Sequence, residues 1–178
     1  MITGYYDEHS EVIQLSWDDV MDMCRELATA IKSEFDPDVV VGIAKGGVIP
    51  AVIIASMLRV DFFPARFSRR QRDMVVREKP EVLVPLTDDV RNRRVLIVDS
   101  VSATGETLRL AVGEAKKKGA RKVKTAALYV HPTSWRPTWY ALESDALVIE
   151  PWDFEVLNQG KFVMHPEYEA ALERIERG

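Results

Sequence analysis

Short β-branched runs alternate with amphipathic helical segments, which predicts an α/β fold: a doubly wound, mostly parallel sheet of five strands with helices on both faces. Two runs decide it. Val39-Val40-Val41-Gly42-Ile43-Ala44 and Val95-Leu96-Ile97-Val98 are continuous apolar stretches without polar alternation, the pattern of strands buried on both faces. Each leads through small residues into a helical pattern, as the crossovers of a parallel sheet require. At 178 residues, 47% of them apolar, the chain has material for one domain with a sizeable core and too little for two comfortable ones.

The elements follow in order. Ser16 with Asp19 three residues on marks a helix start, and Trp17, Val20, Cys24, Leu27 and Ile31 recur at helical spacing, so residues 17–34 form an amphipathic helix that ends at Asp36-Pro37-Asp38. The strand 39–44 turns at Lys45-Gly46-Gly47 into a helix over 48–59, where Pro50 is tolerated because it falls in the first turn. A strand over 60–67 precedes Ser68–Pro80, a polar, Arg-dense stretch that reads as a long loop or mobile hairpin with Glu81–Leu86 as its returning strand. Arg94–Asp99 is the next core strand. The helix after it, 104–118, carries Leu108, Ala111, Val112 and Ala115 on one face and stops at Gly119. Strands over 123–130 and 146–150 and a terminal helix over 166–177 complete the pattern.

Composition narrows the function. A net charge of −4 makes no general case for nucleic acid, although Lys and Arg gather in 66–79, 91–94 and 116–124. The single Cys24 excludes an internal disulfide and falls on an apolar helix face, which reads as a buried structural thiol. The stretch Met1-Ile2-Thr3-Gly4-Tyr5-Tyr6 has neither a basic nor an apolar leader region. Lys45 and three glycines break the apolar span 39–58 before it could cross a membrane. These features predict a cytoplasmic protein.

The chemistry concentrates at two loops beyond the carboxyl ends of strands, where ligands bind in open α/β sheets. In Asp99-Ser100-Val101-Ser102-Ala103-Thr104-Gly105-Glu106-Thr107-Leu108 a strand ends in a carboxylate, crosses a run of small hydroxyl and Gly residues and enters a helix. That gathers backbone N–H groups and a helix N-terminus around one point, a site for phosphate. Asp99 is placed to receive sugar hydroxyls or a hydrated metal ion. Ala44-Lys45-Gly46-Gly47 supplies a second set of amides and a cation.

This run resembles the phosphoribosyl-pyrophosphate (PRPP) motif of type I phosphoribosyltransferases. Val41–Ala51 is similar to the pyrophosphate loop of that family, and Arg66–Leu86 occupies the place of the hood (about 66–90) that closes over the active site. Tyr129–Pro132, with Glu150-Pro151-Trp152-Asp153, resembles the base-binding end (about 129–155) of the xanthine-guanine type, particularly archaeal purine salvage enzymes. The resemblance covers about residues 16–155, and it implies one domain, 1–178, with a flexible hood and a small C-terminal base-binding subdomain.

The resemblance also implies roles. Ser102, Ala103, Thr104, Gly105, Glu106 and Thr107 would hold the 5′-phosphate; Ala44, Lys45, Gly46 and Gly47 the pyrophosphate; Asp99, with Ser100 beside it, the ribose and, through water, Mg²⁺. His131, Leu147 and Trp152 would face the base, with Trp135 and Trp139 as further aromatics nearby. The reaction would displace pyrophosphate from ribose C1 by a nucleobase nitrogen, with Asp99 and Lys45 as the catalytic pair, and the enzyme would be a homodimer.

Four positions depart from the family pattern. Ser100 stands where a second acid is usual, and the loss of one charge-assisted contact is worth about 1.5–3 kcal/mol. Ala103 replaces the Asp that handles the proton on N7 of a 6-oxopurine, a factor of about 10²–10⁴. His131 replaces the Lys that donates to O6, and it reads equally as a strand-end cap. Leu147 replaces the stacking aromatic. The expectation is that ribose 5′-phosphate binding is kept and 6-oxopurine transfer is weakened or altered. A non-catalytic PRPP or nucleotide sensor, or a regulatory partner subunit, is the alternative.

Overall fold

The computed structural model of the chain describes residues 11–71 and 74–177; the segment Met1–Tyr6 and the hood residue Arg72 lie outside the described residues. The elements are β1 (Val12–Gln14), α1 (Trp17–Glu34), β2 (Val39–Ile43), α2 (Val48–Leu58), β3 (Asp61–Ser68), β4 (Arg70–Gln71), β5 (Met74–Val75), β6 (Glu81–Val84), β7 (Arg94–Ser102), α3 (Glu106–Lys117), β8 (Lys122–Val130), β9 (Trp139–Glu143), β10 (Leu147–Ile149), β11 (Glu155–Asn158), β12 (Lys161–Met164) and α4 (Pro166–Arg177). The chain divides into two compact units, Met21–Ser144 and Met1–Val20 with Asp145–Gly178.

In the larger unit six strands form one sheet in the order β6-β3-β2-β7-β8-β9. All neighbours are parallel except β6, which runs antiparallel to β3. From β2 the chain winds outward to β3 on one side, and from β7 to β8 and β9 on the other. The order therefore reverses between β2 and β7, and their carboxyl ends frame the crevice where such folds bind ligands.

Helices cover both faces. Val39, Val41, Ile43, Val95 and Ile97 pack with Leu108, Ala111 and Ala115 of α3. The alternate residues of β2 face the other way, and a methyl group on Gly42 would fall 2.8 Å from Cβ of Ala51 in α2. Cys24 is completely buried on α1, and burial pushes its thiol up to about 12. An inert structural thiol follows.

Five strands were expected and six are found, for two reasons. The run 146–150, read as the fifth, forms β10, which pairs in parallel with β1 in the smaller unit. The sheet instead ends on β9, Trp-Tyr-Ala-Leu-Glu, whose half-buried edge position needs neither an apolar run nor clean alternation. β6, expected as a returning strand, supplies the other edge. Of the two forms expected after β3, a long loop or a hairpin, the described residues show hairpin pairing: Ser68 pairs with Glu81 in β3–β6, and β4 pairs antiparallel with β5.

The smaller unit holds the start of α1, the β1–β10 pair, the β11–β12 hairpin and α4. Ser16 caps α1 reciprocally: its Oγ accepts from Asp19 N–H at 3.1 Å, and Asp19 Oδ2 accepts from Ser16 N–H at 2.8 Å. Leu147, Ile149, Tyr168 and Ala171 form its core.

The basic clusters 91–94 and 116–124 lie at the amino end of β7, its neighbour β8 and the C-terminus of α3, away from the crevice. Several are spent on carboxylates there. Arg94 grips Asp38 with Nη2 at 2.7 Å and Nε at 3.1 Å, Arg93 reaches Asp61 and Lys118 reaches Asp88.

Candidate functional site

Two loops meet at the carboxyl ends of β2 and β7. The turn Ala44–Gly47 leaves β2 by an Ala44–Lys45 cis peptide and enters α2. Gly47 sits in an ordinary helical conformation, so its lack of a side chain serves proximity and not backbone freedom. A methyl group there would stand 2.6 Å from Cα of Asp99, 2.7 Å from the Ile43 carbonyl oxygen and 2.8 Å from that of Val98. The turn is thereby seated directly on the end of β7. Lys45 is exposed at its tip.

β7 runs three residues further than expected, to Ser102. Strand alternation then separates its polar residues. Asp99 is half-buried, and its Oδ1 accepts the Ser100 N–H at 2.9 Å. Ser100 and Ser102 point to the other side, 4% and 1% exposed. Position 100 is thus an interior position. Its occupant is a small neutral hydroxyl, and a carboxylate there would have to be buried.

Ala103-Thr104-Gly105 form the loop into α3, whose first turn presents the amides that a helix leaves without intrahelical acceptors. Thr104 Oγ1 accepts from Glu106 N–H at 3.3 Å. Gly105 has φ of 79°, and a methyl there would fall 2.6 Å from Cβ of Trp135, so glycine is required twice over. The structure sets Ser102 apart from the other five residues expected to hold phosphate. Its hydroxyl is turned to Ser134 Oγ at 2.9 Å and the Trp135 carbonyl at 3.2 Å, and so props the loop from behind.

One cation went unnamed individually in the sequence. Arg66 follows Ala65, whose carbonyl accepts the Ala44 N–H at 2.7 Å, so it flanks the turn at the carboxyl end of β3. Its Nε is buried without a hydrogen-bond partner, a costly state for a charged group that an anion would relieve. The only sequence signal was its place at the start of an Arg-rich stretch. Arg77 Nε is engaged by Glu81 at 2.7 Å, while its Nη1 is likewise buried without a hydrogen-bond partner among the described residues.

Of the residues expected at the base, His131 directly follows β8, and its N–H donates to the Ser102 carbonyl at 3.1 Å. Its Nδ1 accepts from Thr133 N–H at 3.4 Å and lies 2.9 Å from Thr133 Oγ1. Trp135 lies against Gly105 with 39% of its surface exposed. Trp139 packs on Phe35 at 6.0 Å and donates Nε1–H to Glu34, a structural placement.

Leu147 is a correction. It is wholly buried beneath α4 beside Ile149 and Tyr168, so its side chain forms the core of the smaller unit and presents no face to a base. Trp152, in the same unit, is half-buried with its ring 5.9 Å from that of Trp17.

Residues 15–159 match the model of the phosphoribosyl transferase domain. The chain belongs to the type I phosphoribosyltransferase family. Among solved structures it is similar to a purine phosphoribosyltransferase from Pyrococcus horikoshii, with 32% identity over 83% of this chain and 98% of that one and a TM-score of 0.72. Two further neighbours share the fold at lower identity. The xanthine-guanine-hypoxanthine phosphoribosyltransferase of Helicobacter pylori is 14% identical over 80% of this chain and 93% of that one, with a TM-score of 0.65. A Neisseria gonorrhoeae protein solved with bound ppGpp is 19% identical over 96% and 99%, with a TM-score of 0.70. Among curated proteins, the uracil phosphoribosyltransferase of Ligilactobacillus salivarius is 38% identical over 61 residues, and the chain spans 29% of its length. Among the described residues no helix of the chain is long and apolar enough to cross a membrane.

Proposed function

We propose that this protein binds PRPP across the β2 and β7 loops and transfers its phosphoribosyl group to a purine base, releasing pyrophosphate. The observation that carries the reading is the seating of Gly47 on Asp99, because it brings the cation-bearing turn and the phosphate-type loop to one crevice. Likeness to the archaeal purine enzyme supports a purine acceptor.

The residues divide the substrate by charge. Amides and hydroxyls of 103–107 at the N-terminus of α3 hold the 5′-phosphate. Asp99 receives the ribose hydroxyls. Lys45, the amides of Gly46 and Gly47, and Arg66 hold the pyrophosphate. As the bond from C1 to the pyrophosphate oxygen breaks, the leaving group takes the electron pair and the ribose becomes cationic; the base nitrogen then forms its bond to C1 and releases its proton to water or to the departing pyrophosphate. Lys45 and Arg66 stabilise the negative charge that develops on the leaving group. His131 donates a ring N–H towards an oxo-substituted base, and Trp135 shields one side.

Mg²⁺ fits this site in one mode. Among the described residues no group of three or more His, Cys, Asp or Glu could cage a metal, whereas Mg²⁺ is commonly held by one or two carboxylates together with substrate oxygens and water. Asp99 would hold it, and the ion would supply charge neutralisation at the pyrophosphate.

Ala103 and the buried Ser100 favour a second reading, a protein that binds PRPP or a nucleotide and turns over slowly or not at all. Base-dependent pyrophosphate release from PRPP and Mg²⁺, with adenine, guanine, hypoxanthine, xanthine and uracil in turn, separates the two. Turnover with a purine supports the transferase. Turnover with uracil alone overturns the purine assignment, and PRPP binding without release favours the sensor.

A further inference from the structure

The loop that would hold phosphate is bonded directly to the segment that would face the base. Ser102 and Ser134 are 1% and 8% exposed, and their hydroxyl oxygens lie 2.9 Å apart. Both also lie within hydrogen-bond distance of the Trp135 carbonyl, at 3.2 Å and 3.0 Å. Two hydroxyl protons serve these three contacts, so one hydroxyl donates to the other, which donates to the carbonyl. Around this node, His131 N–H donates to the Ser102 carbonyl at 3.1 Å and Trp135 N–H to the Thr104 carbonyl at 3.2 Å, while Ser134 N–H closes back on the His131 carbonyl at 2.9 Å.

The carbonyls of Ser102 and Thr104 thus bracket Ala103, and both are occupied by amides of 131–135. A phosphate that orders the 103–107 amides also fixes those two carbonyls, and with them His131 and Trp135. Buried hydroxyl networks of this kind rigidify when fully satisfied.

We propose that Ser134, through Ser102, is a positioning residue that couples occupancy of the phosphate loop to the placement of His131 and Trp135. The inference rests on the phosphate-loop reading above. Coupling is reciprocal, so phosphate at the loop prepares the base side, and a base strengthens the hold on phosphate.

Ribose 5-phosphate is the probe, since it fills the loop and leaves the base side empty. Calorimetry reports its binding, and amide hydrogen exchange reports residues 131–135. In the wild-type protein saturation slows exchange of the His131 and Trp135 amides by about tenfold. Ser134→Ala binds ribose 5-phosphate within about threefold of wild type and loses that slowing, while Ser134→Thr, which keeps the hydroxyl, restores it. A purely structural role would raise exchange throughout without abolishing the ligand-dependent difference. Wild-type binding without slowing at 131–135 overturns the proposal, even where Ser134→Ala does not fold. Slowing that survives in Ser134→Ala overturns it too. Failure of the wild-type protein to bind ribose 5-phosphate is seen directly by calorimetry, and overturns the phosphate-loop reading together with the coupling.

Discussion

Gly47 lies so close to Asp99 that a single added methyl would stand 2.6 Å from its Cα. The contact is backbone against backbone, so no side chain can swing away to make room. Gly47→Ala should therefore displace either the turn or the end of β7, costing about 1–3 kcal/mol of stability. It should also weaken PRPP binding by more than Lys45→Ala does. Thermal unfolding and PRPP titration of the two variants check this.

Arg66 separates the two ends of the substrate. Its Nε is buried without a hydrogen-bond partner among the described residues, and the proposed function assigns it to the pyrophosphate. Arg66→Met should weaken PRPP binding by about 10–100-fold and leave ribose 5-phosphate binding within about twofold. Equal losses for both ligands would place Arg66 elsewhere.

Positions 100 and 103 should respond in opposite directions. Ser100 is interior, so Ser100→Asp buries a carboxylate and should cost about 3 kcal/mol. Ala103 is half-exposed in the loop, so Ala103→Asp should fold normally and raise guanine or xanthine turnover by about 10²-fold. Denaturant unfolding and steady-state kinetics measure the two effects separately.

Acid should act through Asp38. Hydrogen bonds from Arg94 hold its carboxyl down at about 2, below the ordinary 3.8. The unfolded chain therefore takes up this proton first as pH falls. The stability from the pair is complete above about pH 4 and disappears as pH drops from 4 towards 2. Asp38→Asn should flatten that part of the stability–pH profile.

Leu147 should behave as core. Leu147→Ala is expected to cost about 2–5 kcal/mol, as large-to-small changes in packed interiors do, without changing which base is preferred among molecules that remain folded.

Much of this was legible in the residues. The runs 39–44 and 95–98 announce strands buried on both faces, and the Gly-bearing turns after them announce the two loops. What stayed hidden depended on pairing. Leu-Val-Ile at 147–149 is apolar enough for a central strand, and only its partner Val12–Gln14 and the cover from Tyr168 show that it belongs to a separate core. β9 is an edge strand with mixed polarity, and such strands carry a weak sequence signal. The hydroxyl run 100–104 shows its chemistry but not its direction. Once β7 extends to Ser102, strand alternation turns Ser100 and Ser102 inward, so one run divides into a buried brace and an open loop. The β11–β12 hairpin was missed, although Asn158-Gln159-Gly160-Lys161 carries a hairpin signal, with positive φ at Gln159 and Gly160.

The most direct measurement is a calorimetric titration of PRPP into the wild-type protein and into Gly105→Val. A side chain at this left-handed position would meet Trp135 and push the 103–107 amides out of place. The wild-type protein should saturate at one PRPP per chain, and folded Gly105→Val should bind about 100-fold more weakly. No binding by the wild-type protein, or equal binding by the two, would contradict a phosphate site at this loop.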